Sequence, residues 1–123
     1  MRTPFLLAGL AAAVLAAPAF AQAPAGEHGE ALKTMITQAA AGTCAADLMA
    51  EQLLTACNQQ IAQMAPGLQS LGAVESLTFV RTEQTPQGPV EMYAVKFAGG
   101  QTMTWFIGGR QGDGKFAIAG TQG

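Results

Sequence analysis

The sequence predicts an α+β domain, with two N-terminal helices packed on one face of a four-stranded antiparallel sheet. Three observations predict it. Apolar residues recur at three- and four-residue spacing before Gly72 and at two-residue spacing after it. The later stretches are separated by segments rich in Gly and Pro, which are turn signals. The elements follow one another as helix, helix, then strands, without the strand–helix alternation of a parallel sheet.

The first helix is predicted over Glu30–Ala41. Leu32, Met35, Ile36 and Ala39 share one face, and Lys33, Thr34, Thr37 and Gln38 cover the other. Gly42-Thr43 ends it. Ala45–Leu48 reads as irregular, with Asp47 as a candidate cap for the second helix. That helix is predicted from Met49 to Ala65, with Leu53, Cys57, Ile61 and Met64 as its apolar stripe and Leu68 and Leu71 continuing it. Gln52, Gln59, Gln60 and Gln63 form its wet side, and Pro66-Gly67 is expected to break or kink it.

Val74–Thr82 reads as the first strand, with Leu77 and Phe79 inward. Glu83–Pro89 reads as a connection longer than a tight turn. Val90–Ile107 then holds the only Trp and the only Tyr and reads as a hairpin about Ala98-Gly99-Gly100. A two-residue turn would pair Ala98 with Gln101 and set Trp105 beside Ala94 and Lys96. A three-residue loop pairs Phe97 with Gln101 and sets Tyr93 opposite Trp105 and Val95 opposite Met103. The second register buries one apolar face and is preferred, with Gly100 in the left-handed region. Phe106 falls on the opposite face. Asp113-Gly114 marks the last turn, and Lys115–Ala119 the last strand, with Phe116 and Ile118 on one side.

Residues 1–21 are set apart from this fold. Arg2 opens a positive start, Phe5–Ala17 is apolar, and Ala19-Phe20-Ala21 is a small-x-small site, so a secretory signal peptide cut between Ala21 and Gln22 is expected. The apolar run is short for a membrane span and ends at Pro18. Gln22–Gly29 reads as a flexible leader, and residues 30–123 as a single domain. The expected location is periplasmic or secreted, with no membrane association after cleavage. Without Arg2, five basic side chains face eight acidic ones, scattered along the chain. That pattern excludes a nucleic-acid partner.

Cys44 and Cys57 are the only cysteines, and an even count in an oxidising compartment favours a disulfide. On one continuous helix they would lie about 20 Å apart, too far to bond. Either Cys44 precedes the second helix in a loop that folds back, or the two thiols are unpaired.

No catalytic constellation emerges. The single histidine, His28, lies in the leader without a fixed partner. Asp47, Glu51, Glu75, Glu83, Glu91 and Asp113 read as caps, turn residues or outward strand positions, and no pair is set for acid–base work. Gly99-Gly100 and Gly108-Gly109 belong to hairpin turns and do not lead into a helix, so they are not phosphate loops. No metal or cofactor set is present in the sequence, since two thiols and a distant histidine are too few ligands. One cluster could bind a ligand: Tyr93, Met103 and Trp105 would form an apolar pocket with a phenol and an indole N–H, unless they are simply core.

The segments Gly42–Leu53, Leu71–Val80, Val90–Ile107 and Asp113–Phe116 resemble small NTF2-like and cystatin-like α+β domains of exported bacterial proteins. Such domains also occur appended to serine-hydrolase or β-lactamase-like enzymes. The resemblance implies a fold and a ligand-binding or accessory role, and it carries no reaction. The expected function is therefore a non-enzymatic binding or accessory domain whose partner is a small apolar ligand or a protein. The alternatives are a small NTF2-like enzyme with a buried carboxylate of raised pKa near Tyr93 and Trp105, and an inhibitor or immunity-like protein.

Overall fold

The computed structural model describes residues 26–122. The expected signal segment, its cleavage pair Ala21 and Gln22, and the first half of the leader, residues 22–25, lie outside the described residues. The elements are α1 (Gly29–Ala40), α2 (Glu51–Leu71), β1 (Val74–Thr85), β2 (Gly88–Phe97), β3 (Thr102–Arg110) and β4 (Phe116–Thr121). The strands form one antiparallel meander in the order β1-β2-β3-β4, and the protein is α+β as its sequence implies.

Helix α1 buries Leu32, Met35, Ile36 and Ala39, the face its spacing defines. Helix α2 departs from expectation at both ends. It runs through Pro66 to Leu71 without breaking. Proline removes its own N–H from the helix ladder and crowds the carbonyl four residues before it, and burial of Leu68, two residues on, offsets that cost. At the other end, Asp47 is exposed and does not cap, and Ala50 is the N-cap with no side-chain bond. The helix start is fixed by the sheet instead. Ala50 N–H donates to the Phe116 carbonyl, and Phe116 N–H donates to the Leu48 carbonyl, so the chain before α2 runs parallel to the start of β4.

Cys44 lies before α2 and is bonded to Cys57 within it, with the Cα atoms 6.1 Å apart. The bond closes a sequence separation of 13 residues, and a loop of that size contributes about 3 kcal/mol by restricting the unfolded chain.

The central hairpin takes the three-residue loop. Phe97 N–H donates to the Gln101 carbonyl at 2.9 Å, Gly100 N–H donates to the Phe97 carbonyl, and Gly100 has φ 102°. Tyr93 pairs with Trp105 and Val95 with Met103. Phe106 pairs with Met92 on the opposite face, where its ring lies over Gly120.

Two strand expectations are corrected. Glu83–Pro89 is no long connection: β1 continues to Thr85, which pairs with Gly88 across a two-residue turn, Pro86-Gln87. Thr85 Oγ1 closes that turn by accepting from Gln87 N–H and donating to the Gly88 carbonyl. In β4, Phe116 joins the core but Ile118, paired with Gly108, does not, and Ala119 packs inward instead. The alternation changes beside Gly109, whose φ of 63° departs from strand geometry.

The core lies between the helices and the inner sheet face. Val95, Phe97 and Ile107 are its fully enclosed strand residues, and Leu32 is their counterpart on α1.

Candidate functional site

An apolar cleft of about 340 Å³ opens between α1, α2 and the β3–β4 half of the sheet. It exists because α2 leans towards β4 while α1 sits nearer β1. Its walls come from Met35 and Ile36 of α1, Met49 before α2, and Leu53 and Met64 of α2, with Trp105 from β3. Ala56, Ala119 and Gly120 contribute little bulk there, which leaves the space open. Among the described residues that line it, Gln60 and Thr121 carry polar side chains and none carries an ionisable one. Unbranched methionines give such a wall an adaptable shape.

Trp105 is 7% exposed. Its Nε1 is the one buried side-chain polar atom among the described residues that has no hydrogen-bond partner. A buried donor left in this way costs about 1–3 kcal/mol.

Of the three residues read as a pocket, Trp105 alone lines this cleft. Met103 packs at the edge of the core, half-buried. Tyr93 stands across the strand pair from Trp105, but its hydroxyl is committed elsewhere.

That commitment defines a second polar centre, at Glu91. Sequence reasoning placed Glu91 outward, yet it is 8% exposed and is the one buried charged side chain among the described residues. Its position was legible: Glu91 shares the odd parity of Tyr93, Val95 and Phe97. Tyr93 O–H donates to Glu91 Oε1 at 2.6 Å, and His28 N–H to the same oxygen at 2.9 Å. Glu27 N–H donates to Oε2 at 2.8 Å. The carboxylate thus satisfies main-chain donors at the start of α1 and favours the positive end of the helix.

Burial alone would raise the Glu91 pKa. The bonds from Glu27 N–H, Tyr93 O–H and His28 N–H, with the His28 charge, outweigh it and hold the carboxyl below its ordinary value. Burial and then the Glu91 charge push the Tyr93 phenol well above its ordinary value.

The last residues of the expected leader are held by this centre. Gly26 lies so close to Tyr93 and Phe79 that a side-chain carbon there would collide with both rings. The His28 ring meets Phe116 edge-on, with centroids 4.8 Å apart. His28 therefore serves as the residue before α1, with its main chain on Glu91 and its ring on the core.

Among the described residues no group of His, Cys, Asp or Glu side chains is placed to hold a metal ion, and no helix is long and apolar enough to cross a membrane. The sequence matches no protein-family model, and no curated protein or solved structure matches it.

Proposed function

We propose that this protein is an exported binding domain that holds a small apolar molecule in the cleft beside Trp105, without catalysing a reaction on it. The observation that carries the reading is the cleft: an apolar space of about 340 Å³ with Trp105 among its walls. Its size falls at the lower end of ligand pockets, which suits a compact ligand. Export is supported by the Arg2–Ala21 pattern and by the Cys44–Cys57 bond, which suits an oxidising compartment. The NTF2-like or cystatin-like likeness fits the reading at the level of helices on an antiparallel sheet.

The enzyme alternative called for a buried carboxylate of raised pKa near Tyr93. Glu91 is buried there, but its three donors lower its pKa, and all three are internal to the fold. A carboxylate with three of its roughly four acceptor positions so occupied anchors the chain, and its lowered pKa makes it a weak proton acceptor. An inhibitor that works through a filled, rigid surface would have no use for the cleft.

The test is native mass spectrometry of the protein purified gently from the compartment to which it is exported. Extra mass that leaves on denaturation is expected. A bare protein that also shows no change in Trp105 fluorescence with a panel of apolar compounds would overturn the reading.

A further inference from the structure

We infer that the cleft holds one unbranched alkyl chain, laid lengthwise beside α2, with the polar end of the molecule towards Met64. The inference rests on the binding reading above and specifies the ligand's shape and class.

The two helices run the same way along the cleft. At one end Ala50, just before α2, is tied to Phe116, and the His28 ring, just before α1, meets the same residue. At the other end Gln69 of α2 donates to the carbonyl of Ala40, the last residue of α1. The lining follows that direction. On α2 it includes Leu53, Ala56, Gln60 and Met64, spaced three and four apart and so aligned as one row along the helix. From position 53 to position 64 that row is about 16 Å long, at a rise of about 1.5 Å per residue. The cleft is therefore a slot. Spread over that length, its 340 Å³ leaves a cross-section of about 20 Å². A single file of carbons fills about that much when its neighbours stand about 3.5–4.0 Å away. A ring system is wider and would meet the facing walls.

The two ends of the slot differ. Met49, on the Phe116 side, is 6% exposed, whereas Gln60, towards Met64, is open to solvent. The apolar tip of a chain belongs at the Met49 end, and the polar end beside Gln60, where it keeps its water. The methionine walls are themselves unbranched and can follow a flexible chain.

Three uncharged probes of equal carbon number separate the outcomes: decan-1-ol, menthol and adamantan-1-ol. Protein labelled at its methionine methyl groups gives the readout, with Met92 and Met103, which line no part of the slot, as controls. Decan-1-ol is expected to shift the Met49 and Met64 resonances together and to leave the controls in place. From hexan-1-ol to decan-1-ol, affinity is expected to rise about fourfold per methylene, and to level off in longer alcohols once the slot is full. The species released on denaturing protein taken from its host is expected to carry an unbranched chain, and its mass tells a free amphiphile from a glycerolipid. Menthol or adamantan-1-ol bound as tightly as decan-1-ol overturns the alkyl assignment and leaves apolar binding standing. A shift of Met64 without Met49 overturns the lengthwise placement. No shift from any probe removes the binding reading itself, and this inference with it.

Discussion

Tyr93 and Glu91 lie two residues apart on β2, on the same inward face, and are joined by a hydrogen bond of 2.6 Å from the phenol to the carboxylate. The pair turns one end of the core polar, and the fold uses it to fasten the start of α1. The anion gains three donors in exchange for water, so the ionised carboxylate and the neutral phenol stabilise each other.

The phenol should therefore resist ionisation. Tyr93 is the only tyrosine, so the ultraviolet signal of phenolate reports it alone. Burial and the adjacent negative charge raise its pKa, so phenolate is expected to appear only well above the ordinary value of 10.0 and together with unfolding. Glu91→Gln removes the charge and should bring that titration down. A native-state titration at the ordinary value would show that the pair does not form.

The carboxyl should leave its mark at the acid end. Folding lowers the Glu91 pKa from its ordinary 4.5, so the folded state favours the anion. Its contribution is complete above the unfolded value and is lost as pH falls through the lower, folded one. Urea midpoints at neutral pH and near pH 3 check this. The native protein is expected to lose stability over that interval by more than Glu91→Gln does. At neutral pH, Glu91→Ala, which leaves the donors unanswered, is expected to cost about 1–3 kcal/mol. Parallel pH profiles for native protein and Glu91→Gln would rule the account out.

Much of this fold was legible because its determinants are local. The hairpin register follows from alternation in Tyr93–Phe97 and Met103–Ile107 with a glycine free to take φ 102° at position 100. The disulfide follows from the cysteine count, an expected oxidising compartment and the break before α2. What was not legible is tertiary. Pro66 signals a helix end, but packing of Leu68 carries α2 past it. Pro86 and Pro89 signal a loop, but β1 and β2 pair up to Thr85 and Gly88 around them. The cleft depends on how α2 leans, and periodicity reports which face of a helix is apolar without reporting how far from the sheet it sits. Glu91 was legible by parity and was masked by its charge, since a lone carboxylate is ordinarily placed outward.

Two glycines test how much of the packing is backbone against backbone. A methyl group on Gly108 would sit 2.5 Å from the Pro89 carbonyl oxygen and 2.7 Å from Val90 Cα. Neither atom can move without shifting β2 against β3, so Gly108→Ala is expected to destabilise by about 2 kcal/mol or more. Gly67 lies inside α2, where a methyl group meets nothing within 4 Å. Gly67→Ala is expected to stabilise by about 0.5–1 kcal/mol, chiefly by restricting the unfolded chain. Chemical denaturation of the two variants checks both signs. A neutral Gly108→Ala would mean that β2 and β3 are not so closely apposed at that point.

The cleft itself can be closed from α2. Ala56 lines it, half-buried, and Gln59 lies on the exposed side of the same helix without touching it. Ala56→Leu places three more carbons into space that is already there, so the usual cost of overpacking should not arise. Stability is expected to stay within about 1 kcal/mol of the native value or to rise, as cavity-filling changes commonly do. Binding of an apolar ligand in the cleft is expected to fall by more than about tenfold, because the added volume displaces apolar contacts that supply most of its affinity. Gln59→Leu adds similar apolar bulk outside the cleft and should leave binding unchanged. Titration of both variants by Trp105 fluorescence separates the effects. Equal losses would place the ligand elsewhere. Undiminished binding in Ala56→Leu would exclude this cleft as the site, whatever its walls offer.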